Sequence, residues 1–204
     1  MKELLLNFTN YRNGGVVDEN LLKDAIECYV IQGLKTKDAK PVKSASGIAW
    51  EGTRNIEFYE KEFETQFLEN AKSEYAAKGE QWIATCSAPE YLQNADDAFN
   101  HEEQKSAKIF LAETKPKLVR ILKRELVTLR AELVANKETG CNQMFGSKRV
   151  EDLKLMYKVF SRDEATLPIL IRAMSTDCYG RGTTLVRDEA MLKEPIKLIE
   201  ELLK

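Results

Sequence analysis

Histidine is almost absent. His101 is the only one in 204 residues. It stands beside Glu102 and Glu103 on a polar stretch and reads as a solvated surface side chain. A Ser-His-Asp or Cys-His unit needs a base held against a nucleophile, and a histidine zinc site needs several nitrogen or sulfur ligands together. A single histidine supplies neither. Cysteine is sparse too: Cys28, Cys86, Cys141 and Cys178 lie far apart, with no C-x-x-C pair. They read as reduced thiols rather than a disulfide framework. Long apolar runs are missing. Leu4-Leu5-Leu6 is followed at once by Asn7, which is too short for a signal sequence, and no stretch approaches membrane-spanning length. Neither sign of charge dominates. A net charge of −2 offers no basic face for nucleic acid. These absences lead us to expect a soluble cytoplasmic and/or nuclear protein with no catalytic residue, cofactor or metal, and with neither nucleic acid nor membrane as partner.

What is abundant points one way. Charged residues make up 31% and apolar ones 43%, while Pro and Gly number only 5 and 10. A chain rich in Leu, Lys, Glu and Ala favours amphipathic helices over strands. Lys2 to Tyr11 reads as the end of a helix, stopped by Arg12-Asn13-Gly14-Gly15, because glycine accepts the left-handed conformation of a helix end. Asp18 caps a second helix with Leu21, Leu22, Ala25, Ile26, Tyr29, Val30 and Leu34 in helical period. Residues 35–55 hold Pro41, Gly47, Gly52 and several lysines, so a mobile loop is expected, with Trp50 docked back onto the body. A long helix follows from about Ile56 to Thr85. Ser87 and Glu90 form a capping box with Pro89 in the first turn. Thr114-Lys115-Pro116 repeats that signal ahead of a stripe of Leu118, Leu122, Leu126, Leu129 and Leu133. Val150 to Ser161 is helical, and Asp163 or Thr166 caps the next helix. Gly180 and Gly182 interrupt again before Glu194-Pro195 begins a last one. The fold class is all-α, in antiparallel bundles.

The search for chemistry fails at each candidate. Asp96 with Asp97, and Glu102 with Glu103, are adjacent in sequence, so on a helix they diverge by about 100°. Gly180-Arg181-Gly182 lacks the preceding strand and the following Lys-Ser or Lys-Thr of a phosphate loop. Lys115, Lys117, Arg120, Lys123, Arg124 and Arg130 are interrupted by Glu113, Glu125 and Glu132 and read as a solvated helix face. Two stretches carry the strongest pattern. Tyr59, Phe63 and Phe67 stand four apart, with Leu68 beside them, and line one helix face. Leu153, Met156, Tyr157 and Phe160 share another stripe. Aromatic stripes of this kind are packing surfaces.

The order of these motifs is distinctive. Tyr59-x-x-x-Phe63-x-x-x-Phe67-Leu68 is followed by Tyr75, Glu90-Tyr91-Leu92, Glu102-Glu103, Leu111-x-x-Thr114 and Glu125-Leu126. The series ends in Glu151-Asp152-Leu153-x-x-Met156-Tyr157-x-x-Phe160-Ser161-Arg162. Together with Arg12-Asn13-Gly14-Gly15-Val16-Val17-Asp18, this resembles the central part of the cullin family over roughly Phe8 to Val186. Met156 to Arg162 and Gly182-Thr183-Thr184-Leu185-Val186 look most like the branch that recruits BTB-domain adaptors. The loop at 35–55 and the stretch from Cys141 to Arg149 depart from the usual pattern.

The resemblance implies a fold of cullin repeats stacked into an elongated stalk. Residues 1–140 would be the second repeat, with the loop at 35–55, and residues 141–204 the start of the third. It implies a non-catalytic, rigid scaffold segment of a multisubunit ubiquitin ligase that holds a substrate adaptor and a RING protein apart. Neither partner's binding site falls in this segment. A cullin-exchange or deneddylation regulator along the stalk is a further implied partner. The matching residues Tyr59, Phe63, Phe67, Leu68, Tyr91, Leu122, Leu126, Leu153, Met156, Tyr157, Phe160 and Arg162 would be structural. The alternative is an interaction module of another α-helical repeat protein, such as a tethering or trafficking subunit. An unfinished third repeat would leave apolar surface bare near Ile196, Leu198, Ile199, Leu202 and Leu203.

Overall fold

A computed structural model describes residues 2–32, 40–44, 47–51, 56–188 and 192–202. The architecture is helical, and its contacts gather into two compact units. The first comprises Met1–Lys78 with Asp97–Glu125, and the second Gly79–Asp96 with Leu126–Lys204.

Helix boundaries follow local chemistry. Helix α1 (Lys2–Arg12) ends where Gly14 takes φ +80° and Gly15 N–H reaches the Asn10 carbonyl at 2.9 Å. Asp18 Oδ1 then accepts from the backbone N–H of Asn20 and Leu21, at 2.9 and 3.2 Å, and starts α2 (Glu19–Gln32). Helix α5 (Ala88–Ile109) opens on the expected box. Ser87 N–H donates to Glu90 Oε2 at 2.8 Å, and Glu90 N–H reaches Ser87 Oγ at 3.5 Å. That backbone bond holds the Glu90 carboxyl below its ordinary pKa.

Two expectations about irregular segments are corrected. The segment read as a loop at 35–55 carries strands β1 (Lys40–Ser44) and β2 (Gly47–Glu51), paired antiparallel with Val42 opposite Ala49 and Lys43 opposite Ile48. Val42, Ile48 and Trp50 supply the β-branched and aromatic content that a strand favours, and the surrounding lysines, Pro41 and glycines masked that signal. The docking expected of Trp50, and the bare surface expected at Leu198, Leu202 and Leu203, lie outside what the structure describes. The second correction is at Gly180 and Gly182. They do not break the chain's course, because α10 (Leu167–Arg187) runs through both. A mid-helix glycine weakens a helix by about 1 kcal/mol and need not end it.

The helical stretch from Glu57 to Thr85 contains the most informative irregularity. It divides into α3 (Glu57–Tyr59), a π-helical turn (Glu60–Glu64) and α4 (Thr65–Thr85). Tyr59, Phe63, Phe67, Ala71, Tyr75 and Gly79 follow one another every four residues and all are buried. In an α-helix four residues overshoot a full turn by about 40°, so five such steps drift by about 200°. A π turn bonds i to i+5 and absorbs one extra residue. That removes about 100° and leaves a face about as wide as an ordinary apolar stripe.

The later helical stretch does the same. Thr114, Leu118, Leu122, Leu126, Arg130 and Val134 are buried at steps of four. A π-helical run (Lys123–Thr128) lies between α6 (Thr114–Leu122) and α7 (Ala131–Ala135). This corrects the expected leucine stripe. Past the π run the inward phase moves to Val127, Ala131 and Val134, and Leu129 and Leu133 are left 54% and 56% exposed. By contrast α5 buries Ala88, Tyr91, Leu92, Ala95, Asp96, Phe99 and Glu102 at steps of three and four, and it is uninterrupted α-helix.

In the first unit Phe63 and Phe67 stack at 5.5 Å, and Phe8 and Phe110 close on Phe67 at 5.2 and 4.5 Å. Tyr29 of α2 packs on Phe63 at 5.6 Å. The second unit is built on Tyr91, Leu92, Leu126 and Val134, with Met144 from α8 (Cys141–Gly146) and Met156, Val159 and Phe160 from α9 (Val150–Phe160). A 3₁₀ turn (Glu164–Thr166), capped by Asp163, leads into α10, and α11 (Pro195–Leu202) follows. Ile196 and Ile199 of α11 stand exposed, as expected.

Phe63 is fully enclosed, so Phe63→Ala should destabilise the chain by about 3–5 kcal/mol. A thermal melt within a degree or two of the parent would contradict that placement.

Candidate functional site

The residues expected to carry structure divide cleanly. Tyr59, Phe63, Phe67, Tyr91, Leu122, Leu126, Met156 and Phe160 are all buried, and Leu68, Leu153 and Arg162 are half-buried. Tyr157 departs from the expectation, because its side chain is 57% exposed. With Met156 and Phe160 inward, position 157 lies about 100° from Met156 around the helix, and Val159 fills the inner face instead. The structure brings Tyr59, Phe63 and Phe67 together in the first unit, and Tyr91, Leu126, Met156 and Phe160 into the core of the second.

Sequence reading missed the buried charges. Arg12, at the end of α1, is the centre of a cluster in the first unit. Its Nε donates to Glu102 Oε1 at 2.9 Å, and its Nη1 donates to Glu74 Oε2 and Asn70 Oδ1, each at 3.1 Å. The guanidinium also lies 4.7 Å from the Phe67 ring centre. Tyr75 donates its hydroxyl to Glu102 Oε1 at 2.6 Å, and Lys78 Nζ stands 2.9 Å from Glu74 Oε1. Two cations balance two carboxylates. Burial, together with the Glu102 charge, pushes the Tyr75 phenol far above its usual range. Glu102 is 4% exposed, although it stands on the stretch that reads as polar. His101 is half-buried, with its ring 5.9 Å from Tyr11. The signal was present, since position 102 continues the phase of Ala88, Leu92, Ala95 and Phe99.

A second cluster of the first unit joins the π turn to α6. Lys117 Nζ donates to Glu60 Oε1 at 3.0 Å and to Glu64 Oε2 at 2.6 Å. Thr114 Oγ1 donates to Glu64 Oε1 at 2.7 Å and lies 2.8 Å from the Tyr59 hydroxyl. Hydrogen bonds to Glu64 and Glu60 hold the Lys117 ammonium above the ordinary lysine range. Lys117 thus leaves the basic face on which it was expected to be merely solvated.

The second unit has its own buried charges. Asp96, 4% exposed, accepts from Lys158 Nζ at 2.6 Å, and Arg162 Nη2 lies 3.8 Å from its other oxygen. Arg130, also expected on the solvated basic face, is 6% exposed. A Cβ built on Gly79 would meet its Nε at 2.5 Å, so the guanidinium occupies the space a side chain there would need and would have to shift. Tyr91 donates its hydroxyl to the Leu126 carbonyl at 2.7 Å. Lys137 Nζ donates to the carbonyls of Ile83 and Cys86, at 2.5 and 2.9 Å, and satisfies the end of α4. An open groove beside α8 and α10 is lined by Asn142, Lys148, Met174, Asp177, Arg181 and Leu185, among others. Arg181 there is already paired to Asp177 at 2.6 Å.

These arrangements neutralise charge and fix helices. Glu64, Asp96 and Glu102 are each matched to a cation, and the buried phenols of Tyr59, Tyr75 and Tyr91 are pushed upward by burial. Burial lifts the Cys141 thiol to about 11, which keeps it protonated and unreactive at neutral pH. Among the described residues no group of three His, Cys, Asp or Glu side chains could hold a metal ion. No described helix is long and apolar enough to cross a membrane.

Buried seams and paired charges along successive helices are the features of an α-helical repeat protein. The family profile described as "Cullin alpha solenoid domain" matches residues 1–204, and the chain belongs to the cullin family. Cullin-3 of Dictyostelium discoideum is 24% identical over 204 residues, which is 100% of this chain and 24% of that protein. Cullin-2 of Arabidopsis thaliana is 27% identical over 150 residues, covering 73% of this chain and 18% of its own length. Cullin-3A of Arabidopsis thaliana is 22% identical over 193 residues, covering 94% of this chain and 23% of its own. The chain thus spans about a quarter of the length of these relatives.

Arg12→Ala strands the carboxylate of Glu102 in the core. It should destabilise the chain by about 3–5 kcal/mol, read as a lower urea midpoint. An unshifted midpoint would show that the cluster is solvated in solution.

Proposed function

We propose that this chain is a rigid, non-catalytic scaffold segment of a cullin-type multisubunit ubiquitin ligase. In that role it separates a substrate-adaptor end from a RING-protein end. The observation that carries the reading is the coincidence of two things: a cullin alpha solenoid match over the whole chain, and a core whose largest fully buried side chains include the family-like aromatics Tyr59, Phe63, Phe67, Tyr91 and Phe160. A spacer accelerates transfer between bound partners by fixing their separation and orientation, which raises effective concentration. It needs stiffness rather than a reactive centre. Fully buried Phe, Leu and Met side chains supply that stiffness, each stabilising its seam by roughly 1.5–3 kcal/mol.

In this reading residues 1–140 form the second cullin repeat, and residues 141–204 open the third. The adaptor at the far end is of the BTB type, in keeping with the similarity to proteins named Cullin-3. A cullin-exchange or deneddylation regulator would lie along the same stalk, and the complex would work in the cytoplasm, the nucleus or both. Tyr59, Phe63, Phe67, Leu122, Leu126, Met156 and Phe160 would act by keeping the spacer rigid, with no contact to substrate.

The test is a chimera. Residues 1–204 replace the matching quarter of Dictyostelium Cullin-3, and ubiquitin transfer to a bound substrate is followed. Transfer should persist in the chimera and fall at least tenfold when Phe63→Ala and Phe160→Ala loosen the seams. A folded chimera that binds both end partners yet transfers no ubiquitin would refute the role.

A further inference from the structure

The π turn at Glu60–Glu64 sits close to the start of its helix, which begins at Glu57. A bulge so near a helix end has an easy way out. The extra residue can pass to the N-terminus, and the turn then closes as ordinary α-helix. Something must therefore hold it in place.

Two sets of polar contacts converge on it. On the outer side, Thr65 donates twice to the Glu60 carbonyl, through its backbone N–H in the i to i+5 pattern and through Oγ1 at 2.8 Å. On the inner side, the anchors come from one turn of α6. Lys117 Nζ bridges Glu60 Oε1 and Glu64 Oε2, the first and last residues of the π turn, at 3.0 and 2.6 Å. Thr114 Oγ1 holds the other Glu64 oxygen at 2.7 Å and touches the Tyr59 hydroxyl at 2.8 Å. Glu64 is buried at 3% exposure. A buried carboxylate without these donors would be costly. Glu60 and Glu64 share a face in either register, but Thr114 holds Tyr59 and Glu64 together, and residues five apart diverge by about 140° on an α-helix, so the Thr114 contacts select the π register while Lys117 ties Glu60 and Glu64 to them. Lys117 itself is 38% exposed and reaches solvent.

We propose that Lys117, with Thr114, is a latch that pins the π turn at Glu60–Glu64. Releasing it converts the turn to α-helix in a fraction of molecules. That change rotates Glu57–Tyr59 by about 100° relative to the helix from Thr65 onward and takes Tyr59 off Thr114. The latch is addressable from solvent, since it turns on a single ammonium that a charge-removing modification would disable.

The test uses the whole 204-residue chain, with amide exchange and backbone NMR. Lys117→Met removes the charge-assisted bonds to both Glu60 and Glu64 and should speed exchange at Glu60–Thr65 by about tenfold or more. It should also double the resonances of Glu57–Thr65, while Phe67 to Lys78 keep parent-like exchange. Lys117→Arg should restore one set of resonances, and Thr65→Val should speed exchange at the same turn. A folded Lys117→Met chain with parent-like exchange and single resonances would overturn the latch. So would a Lys117→Arg chain as loose as the Met variant, or a Lys117→Met chain that unfolds outright, because Lys117 would then carry the fold rather than the register.

Discussion

A mismatch of periods organises this protein. Side chains stepping by four cannot stay on one face of a helix that turns every 3.6 residues. Yet six rungs from Tyr59 to Gly79, and six from Thr114 to Val134, are all buried. Each ladder is reconciled with helical geometry by one π-helical interruption, at Glu60–Glu64 and at Lys123–Thr128. The remaining drift leaves a face that a neighbouring helix can cover. Core packing in both units follows from this adjustment.

Polar groups are arranged around the same ladders. Arg130 occupies a rung of the second ladder, and Gly79 occupies a rung of the first. The absent Cβ of one makes room for the guanidinium of the other. Glu64 closes the first π turn, with Lys117 and Thr114 as its donors. Arg12 joins α1 to Glu74 of the first ladder's helix and to Glu102 of α5. Buried pairs of this kind are often no more stabilising than apolar replacements, but removing one partner is costly. Within each unit they tie particular helices to one another.

Much of the helical pattern was legible in the sequence because it rests on local rules. The Asp18 cap, the Ser87–Glu90 box and the glycine stop after Arg12 each depend on a few neighbouring residues, and each is realised. The failures share a physical cause. Leu129, Leu133 and Tyr157 were placed inward by counting steps along an unbroken α-helix. For the two leucines a π run moved the phase by one residue, and for Tyr157 the neighbouring Val159 took the inner position. Arg130 was set outside because charge was read as exposure, although it sits on an apolar phase that marked it as core, as Glu102 does. Strands β1 and β2 were hidden by composition, since lysine, proline and glycine outweighed the short alternation around Val42 and Ile48. The repeated step of four was itself a readable sign of π turns, because no uninterrupted α-helix keeps it inward for six rungs.

The period argument is tested most directly by comparing two one-residue deletions, each removing an exposed side chain. Deleting Glu62 takes the surplus residue out of the π turn, and deleting Ser73 takes one out of regular α-helix between Ala71 and Tyr75. The measurement is the denaturant midpoint of each chain. The Glu62 deletion should close the turn as α-helix and lose little stability. The Ser73 deletion should swing Tyr75 by about 100° relative to Phe67 and lose far more. Equal losses from the two deletions would contradict the account.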